Sequence, residues 1–144
     1  MAAKKSKLID YLNATASRQL LSVKYQLSEE TPNESLNLTC TDEITTDSWD
    51  DNGIVCTISR KLKTEPEFLS IDIIARVIIN IKKEYKGKIV WENIDVKEEI
   101  GKSEYYRFFS DPFSRISLLI SNLTASFSGT PIVTPVYPAH ADKV

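Results

Sequence analysis

At 144 residues the chain has the size of one ordinary domain, able to bury roughly two thirds of its unfolded surface without help from a metal or a disulfide. Its 18 Lys and Arg against 20 Asp and Glu leave a formal net charge of -2, which excludes the basic field that nucleic-acid binding uses. No window reaches the roughly 18 to 20 apolar residues of a membrane span, and no signal-peptide core follows the first lysines, so a cytoplasmic chain is expected.

The first 18 residues read as an extension in which Leu8, Ile9 and Leu12 suit a short amphipathic helix over Lys4 to Asn13. Strands follow. Leu21, Val23, Tyr25 and Leu27 alternate with polar residues, as do Leu36, Leu38, Cys40 and Ile44, and then Ile54, Cys56, Ile58 and Leu62, the period of a strand with one buried face. A fourth strand, about Phe68 to Glu84, is apolar on both faces at Ile73-Ile74 and Val77-Ile78-Ile79 and should be covered on both sides in part. Turns stand at Thr31-Pro32-Asn33, Asp50-Asp51-Asn52-Gly53 and Glu65-Pro66-Glu67. Cys40 and Cys56 both sit inside strand patterns and read as reduced core residues.

From Tyr85 to Ser110 the pattern loosens into a connection with a short strand expected at Lys88 to Trp91 and a turn of helix at Asp95 to Ile100. The last helix has marked ends: Asp111 as cap, Pro112 at the first position, Gly129 as left-handed stop. Phe109, Phe113, Ile116, Ile120, Leu123 and Phe127 form its apolar stripe. Ser114, Leu118, Ser121 and Ala125 form a second, mostly small ridge suited to close approach by another subunit. A short apolar strand from Ile132 should close the domain, which is taken as residues 19–138 with a tail at 139–144. The fold class is α+β: a four-stranded antiparallel sheet, a long connection, a long C-terminal helix and a proline-rich closing segment.

Little in the chain supports catalysis. His140 is the only histidine and lies in the tail, which leaves no material for a histidine-based nucleophile or metal site. Asp47, Asp50, Asp51 and Asn52 resemble a calcium loop faintly, but Trp49 occupies a ligand position and no Glu stands at the required spacing. There is no glycine-rich phosphate loop. No enzyme activity, cofactor or metal is expected. Several large rings do lie outside the regular strands: Trp49, Tyr85, Trp91, Tyr105 and Tyr106. Each alone could cap an ordinary core, but as a group near one loop they favour a groove for extended apolar chain, bordered by Trp49, Tyr85, Ile89 and Trp91.

Between Gln19 and Val136 the arrangement resembles the SecB export chaperones and their SecB-like relatives. The specific part is Leu118-Leu119-Ile120-Ser121-Asn122-Leu123-Thr124 followed by Gly129-Thr130-Pro131-Ile132-Val133-Thr134-Pro135-Val136, which is similar to the family's helix, its glycine and proline, and its Pro-Val closure. The resemblance implies a homotetramer, a dimer of dimers, that holds unfolded preproteins in hydrophobic grooves without nucleotide. It also implies docking to the SecA motor through an acidic patch. Glu30 falls at one such place, Gln26 stands where another acid would lie, and Ile71 or Asp72 fills the fourth-strand place. Two functions follow: a holdase for unfolded chains, or an oligomeric (dimeric or tetrameric) module dedicated to one partner or small apolar ligand, including a labile antitoxin.

Overall fold

The computed structural model describes residues 7–29, 33, 35–127 and 131–135. Four strands, β1 (Leu12–Leu27), β2 (Asn37–Asp50), β3 (Gly53–Glu65) and β4 (Leu69–Ile81), form one antiparallel sheet in the order β1-β4-β3-β2. The last three are joined by hairpins, and β1 lies beside β4 at the far edge from β2, an antiparallel order of Greek-key type. The short helix α1 (Val96–Ile100) and the long helix α2 (Arg107–Phe127) follow.

One face of the sheet is the core. Every second residue of β3 from Ile54 to Thr64, and every second residue of β4 from Leu69 to Ile81, is buried. Phe109, Phe113, Ile116 and Ile120 of α2 are buried with them, so the helical stripe does what its spacing requires, with Leu123 half-buried at its margin. On the other face the β4 residues Ile74 and Ile78 are half-buried, which accounts for the apolar runs in this central strand.

Hairpin chemistry sets the register. Asp50 faces Gly53 across the β2–β3 turn, and Gly53 has φ +152°, a conformation open to glycine. A Cβ there would lie 2.8 Å from the Ile79 carbonyl oxygen. At the opposite end Thr64 Oγ1 accepts from the Phe68 and Leu69 amides at 2.8 and 2.9 Å and closes the β3–β4 loop.

Several expected boundaries move. Among the described residues a 3-10 turn, Leu8–Tyr11, precedes β1, which already begins at Leu12. Leu8 and Leu12 are both buried, and the Lys82 amide donates to the Tyr11 carbonyl at 2.7 Å, so backbone pairing beside the long β4 displaces a helix. No strand forms at Lys88 to Trp91; the segment leads into a 3-10 turn at Trp91–Asn93. The turn of helix near Asp95 is present as α1, with Asp95 accepting from the Glu98 amide at 3.2 Å. Helix α2 starts at Arg107, not at Asp111, and Pro112 lies inside it, because burial of Tyr105, Phe108 and Phe109 extends the helix backward by a turn. Asp111 instead pairs with Arg115 at 3.2 Å and with Arg18 of β1 at 3.1 Å. Residues 131–135 run alongside α2 without forming a strand. The Gly129 stop and the Phe127 side chain lie outside the described residues.

Candidate functional site

The connection between β4 and α2 runs across one end of the sheet and brings part of the expected groove together. Trp49, opposite Ile54 in the β2–β3 register, is half-buried against the core. The Trp91 indole Nε1 donates to Asp51 Oδ1 at 3.1 Å, which fastens the connection to the hairpin that follows Trp49. Ile89 is buried at 8% exposure, while its neighbour Val90 stands 57% exposed. Tyr85 sits apart, edge-on to Tyr11 with ring centroids 5.0 Å apart, where β1 begins and β4 ends. Tyr105 is fully buried, and its hydroxyl donates to Glu99 Oε2 at 3.0 Å. Burial, and then the Glu99 bond, pushes the Tyr105 phenol up; the Lys102 hydrogen bond holds Glu99 below the usual carboxylate range. The rings thus pack their bodies on the core, and two of them anchor polar tips to carboxylates.

A second apolar surface lies on β1. A register shift between Leu20 and Ser22 puts Leu20, rather than Leu21, on the same face as Val23, Tyr25 and Leu27, opposite Ala75, Ile73, Ile71 and Leu69. This is the helix-covered face, yet α2 leaves much of the edge strand open: Leu20 is 55% exposed, Val23 and Leu27 are exposed with it, and Leu21 is exposed at the register shift. Between strand and helix runs a groove of about 320 Å³ lined by Arg18, Leu20, Ala75, Pro112, Ile116 and Leu119. On the opposite edge Leu36 and Leu38 are exposed as well.

The ridge of α2 divides. Leu118 is 62% exposed, Ala125 is exposed and Ser114 half-buried, but Ser121 turns to the chain itself and donates to the Ile132 carbonyl at 2.8 Å. Beside it, Thr124 Oγ1 accepts from the Ile132 amide at 2.8 Å, and Ser117 Oγ meets Thr134 Oγ1 at 2.8 Å. Underneath lies Arg60, without solvent exposure. Its Nε donates to Asp42 Oδ1 at 2.7 Å and one terminal nitrogen to Asp42 Oδ2 at 2.6 Å; the other terminal nitrogen reaches Ser117 Oγ and Thr134 Oγ1 at 2.8 Å each, and the Pro135 carbonyl. The guanidinium lies 5.1 Å from the centre of the Phe113 ring. Sequence reasoning missed this cluster, although a signal was present: Arg60 is in phase with Ile58 and Leu62, and Asp42 with Cys40 and Ile44, so both charges occupy apolar positions of their strands.

Of the residues considered for an acidic patch, Ile71 is in the core, Asp72 lies on the open face of the sheet with Lys24 and Lys61 as its cross-strand partners, and Gln26 is exposed opposite Ser70. Glu30 lies outside the described residues. Both cysteines are free thiols, and burial pushes Cys56 up to about 12. Among the described residues no three His, Cys, Asp or Glu are grouped to hold a metal, and no helix is long and apolar enough to cross a membrane.

No protein-family model matches the chain, and no curated protein does either. Among solved structures it is similar to the Mycobacterium tuberculosis SecB-like chaperone Rv1957 in complex with a ChAD peptide from the Rv1956 HigA1 antitoxin. The identity is 14% and the TM-score 0.59, over 89% of this chain and 92% of that one. The fold is therefore SecB-like, as the helix and closing segment suggested.

Proposed function

We propose that this protein is a SecB-like holdase that keeps extended, apolar segments of non-native proteins from aggregating, without nucleotide. The observation that carries the reading is apolar surface left open on a SecB-like fold: Leu36 and Leu38 at the β2 edge and Val90 in the connection, besides the β1 edge that assembly would cover. We place the client groove at the connection end of the sheet, bordered by Trp49, Ile89 and Trp91, with Tyr85 set apart against Tyr11. Each ring buried by a client would contribute on the order of 1 to 3 kcal/mol, so the roughly 8 kcal/mol of micromolar binding needs only a few. Ser114, Leu118 and Ala125, together with the β1 edge, are the proposed surfaces for assembly into a dimer or tetramer; Ser121, expected among them, is taken up by the Ile132 carbonyl. Delivery to SecA has weaker support, since Lys24 and Lys61 flank Asp72 and would neutralise an acidic docking patch.

The test is suppression of aggregation of several unrelated reduced, unfolded proteins, with wild type beside the double substitution Trp49→Ala with Trp91→Ala. Wild type should protect all of them and shift its tryptophan emission on titration; the variant, still folded, should protect less. Equal protection by the variant would remove the groove from this end of the sheet. Because the similar Rv1957 structure holds an antitoxin peptide, a module dedicated to one such partner is the second reading. Protection of a single client and no other would decide for it.

A further inference from the structure

From α2 and β3 the Arg60 cluster and its neighbours hold the backbone of residues 131–135. Asp42 takes Nε and one terminal nitrogen of the guanidinium, and the other terminal nitrogen, buried, donates to Ser117 Oγ of α2 as well as to Thr134 Oγ1 and the Pro135 carbonyl. Ser121 and Thr124 read the carbonyl and amide of Ile132, and Ser117 donates to the Pro135 carbonyl at 2.9 Å. Most of these contacts are to main chain. Residues 131–135 form a strap along α2, and of its own side chains only Thr134 is buried; Ile132 is half-buried, Pro131 and Pro135 are exposed, and Val133 is 85% exposed. With so little apolar burial of its own, the segment rests on hydrogen bonds for its attachment, two of them from the guanidinium.

We infer that the cleft between α2 and β3, floored by Arg60 and walled by Ser117, Ser121 and Thr124, is a peptide site that reads extended backbone with a small hydroxyl residue, and that residues 131–135 occupy it in cis. A segment of a non-native protein with that chemistry would replace the strap. If the strap leaves, the Asp42 pair and the Ser117 hydroxyl stay on the guanidinium, and a second carbonyl would restore the bonds that Thr134 and Pro135 made. This deepens the holdase reading and rests on it for the identity of the ligand.

The probe is a fluorescein-labelled peptide with the sequence of Pro131 to Pro135, followed by anisotropy against the full chain. A tethered competitor acts at an effective concentration in the millimolar range, so wild type should bind weakly. Ile132→Pro with Thr134→Val removes the amide and hydroxyl that hold the strap and should tighten peptide binding about tenfold or more. Adding Ser117→Ala should cancel that gain. A folded strap variant that binds no tighter than wild type overturns the inference, as does a gain that survives Ser117→Ala. Should the strap variant not fold, hydrogen exchange of wild type decides: the Ile132 amide should exchange about 100-fold faster or more than that of Ile73, and equal protection of the two means that the strap does not open. Failure of the wild-type protein to suppress aggregation would sink the holdase reading and leave peptide exchange standing; failure of exchange alone leaves the Trp49 and Trp91 test untouched.

Discussion

Arg60 is a charge with no access to water, stabilised by Asp42, by two hydroxyls and by the face of Phe113. Removing one partner from such a pair leaves the other buried and uncompensated, which costs about 3 to 5 kcal/mol, whereas apolar replacement of both is often close to neutral. Asp42→Ala should therefore lower the urea midpoint sharply, and Arg60→Met with Asp42→Leu should recover most of the loss. A double variant as unstable as the single one would mean that the pair contributes net stability. Gly53 makes a second demand at the scale of one residue. Its φ is unfavourable for a side chain, and the Cβ of Gly53→Ala would meet the backbone at Ile79, so a loss of about 1 to 3 kcal/mol is expected in thermal unfolding.

At the scale of elements, the connection is organised by a small polar hub at α1. Glu99 Oε1 accepts from Lys102 Nζ at 2.5 Å, while Glu99 Oε2 accepts the Tyr105 hydroxyl. The Lys102 bond lowers the Glu99 carboxyl relative to the unfolded chain. Between the folded and unfolded values the unfolded state binds more protons, so this stabilisation is complete above the ordinary Glu range and is lost as pH falls through the folded value. Glu99→Gln should flatten the acid limb of stability below about pH 4.5 and leave the neutral region with a smaller change, read as melting temperature against pH. An unchanged acid limb would place the titrating contact elsewhere. Helix α2 shows the reverse case, in which packing overrides a local signal: Asp-Pro reads as a helix start, yet three buried rings upstream carry the helix past it.

At the scale of the whole molecule, apolar margins stand uncovered at the β1 edge and on α2. Leu20 on β1 and Leu118 on α2 are exposed, and apolar area removed from water contributes about 25 cal/mol per Å². If these faces meet another copy, as proposed, Leu20→Glu with Leu118→Glu should reduce the mass seen by light scattering while leaving the far-UV spectrum unchanged. A constant mass would exclude both faces. Much of the architecture was legible beforehand because strand alternation and helical stripe are local: β3, the β2–β3 turn, α1 and the core face of α2 lie where their periodicities put them. Of the residues proposed to border a groove, Trp91 and Ile89 stand in the long connection, but nothing local foretold that Trp91 would bond Asp51 or that Tyr85 would pair with Tyr11.

By itself the sequence determined the class of the fold, because periods of two and 3.6 record which faces must leave water, and it carried enough of the last helix and closing segment to point to a SecB-like arrangement. Only the tertiary structure decided the strand order, the early start of β1, the uncovered leucines at its edge and the cluster at Arg60. These depend on pairings between residues far apart in the chain. Asp42 and Arg60 are 18 positions apart, Arg60 and Ser117 are 57, and an alternation pattern carries no information about which distant partner will satisfy a buried charge.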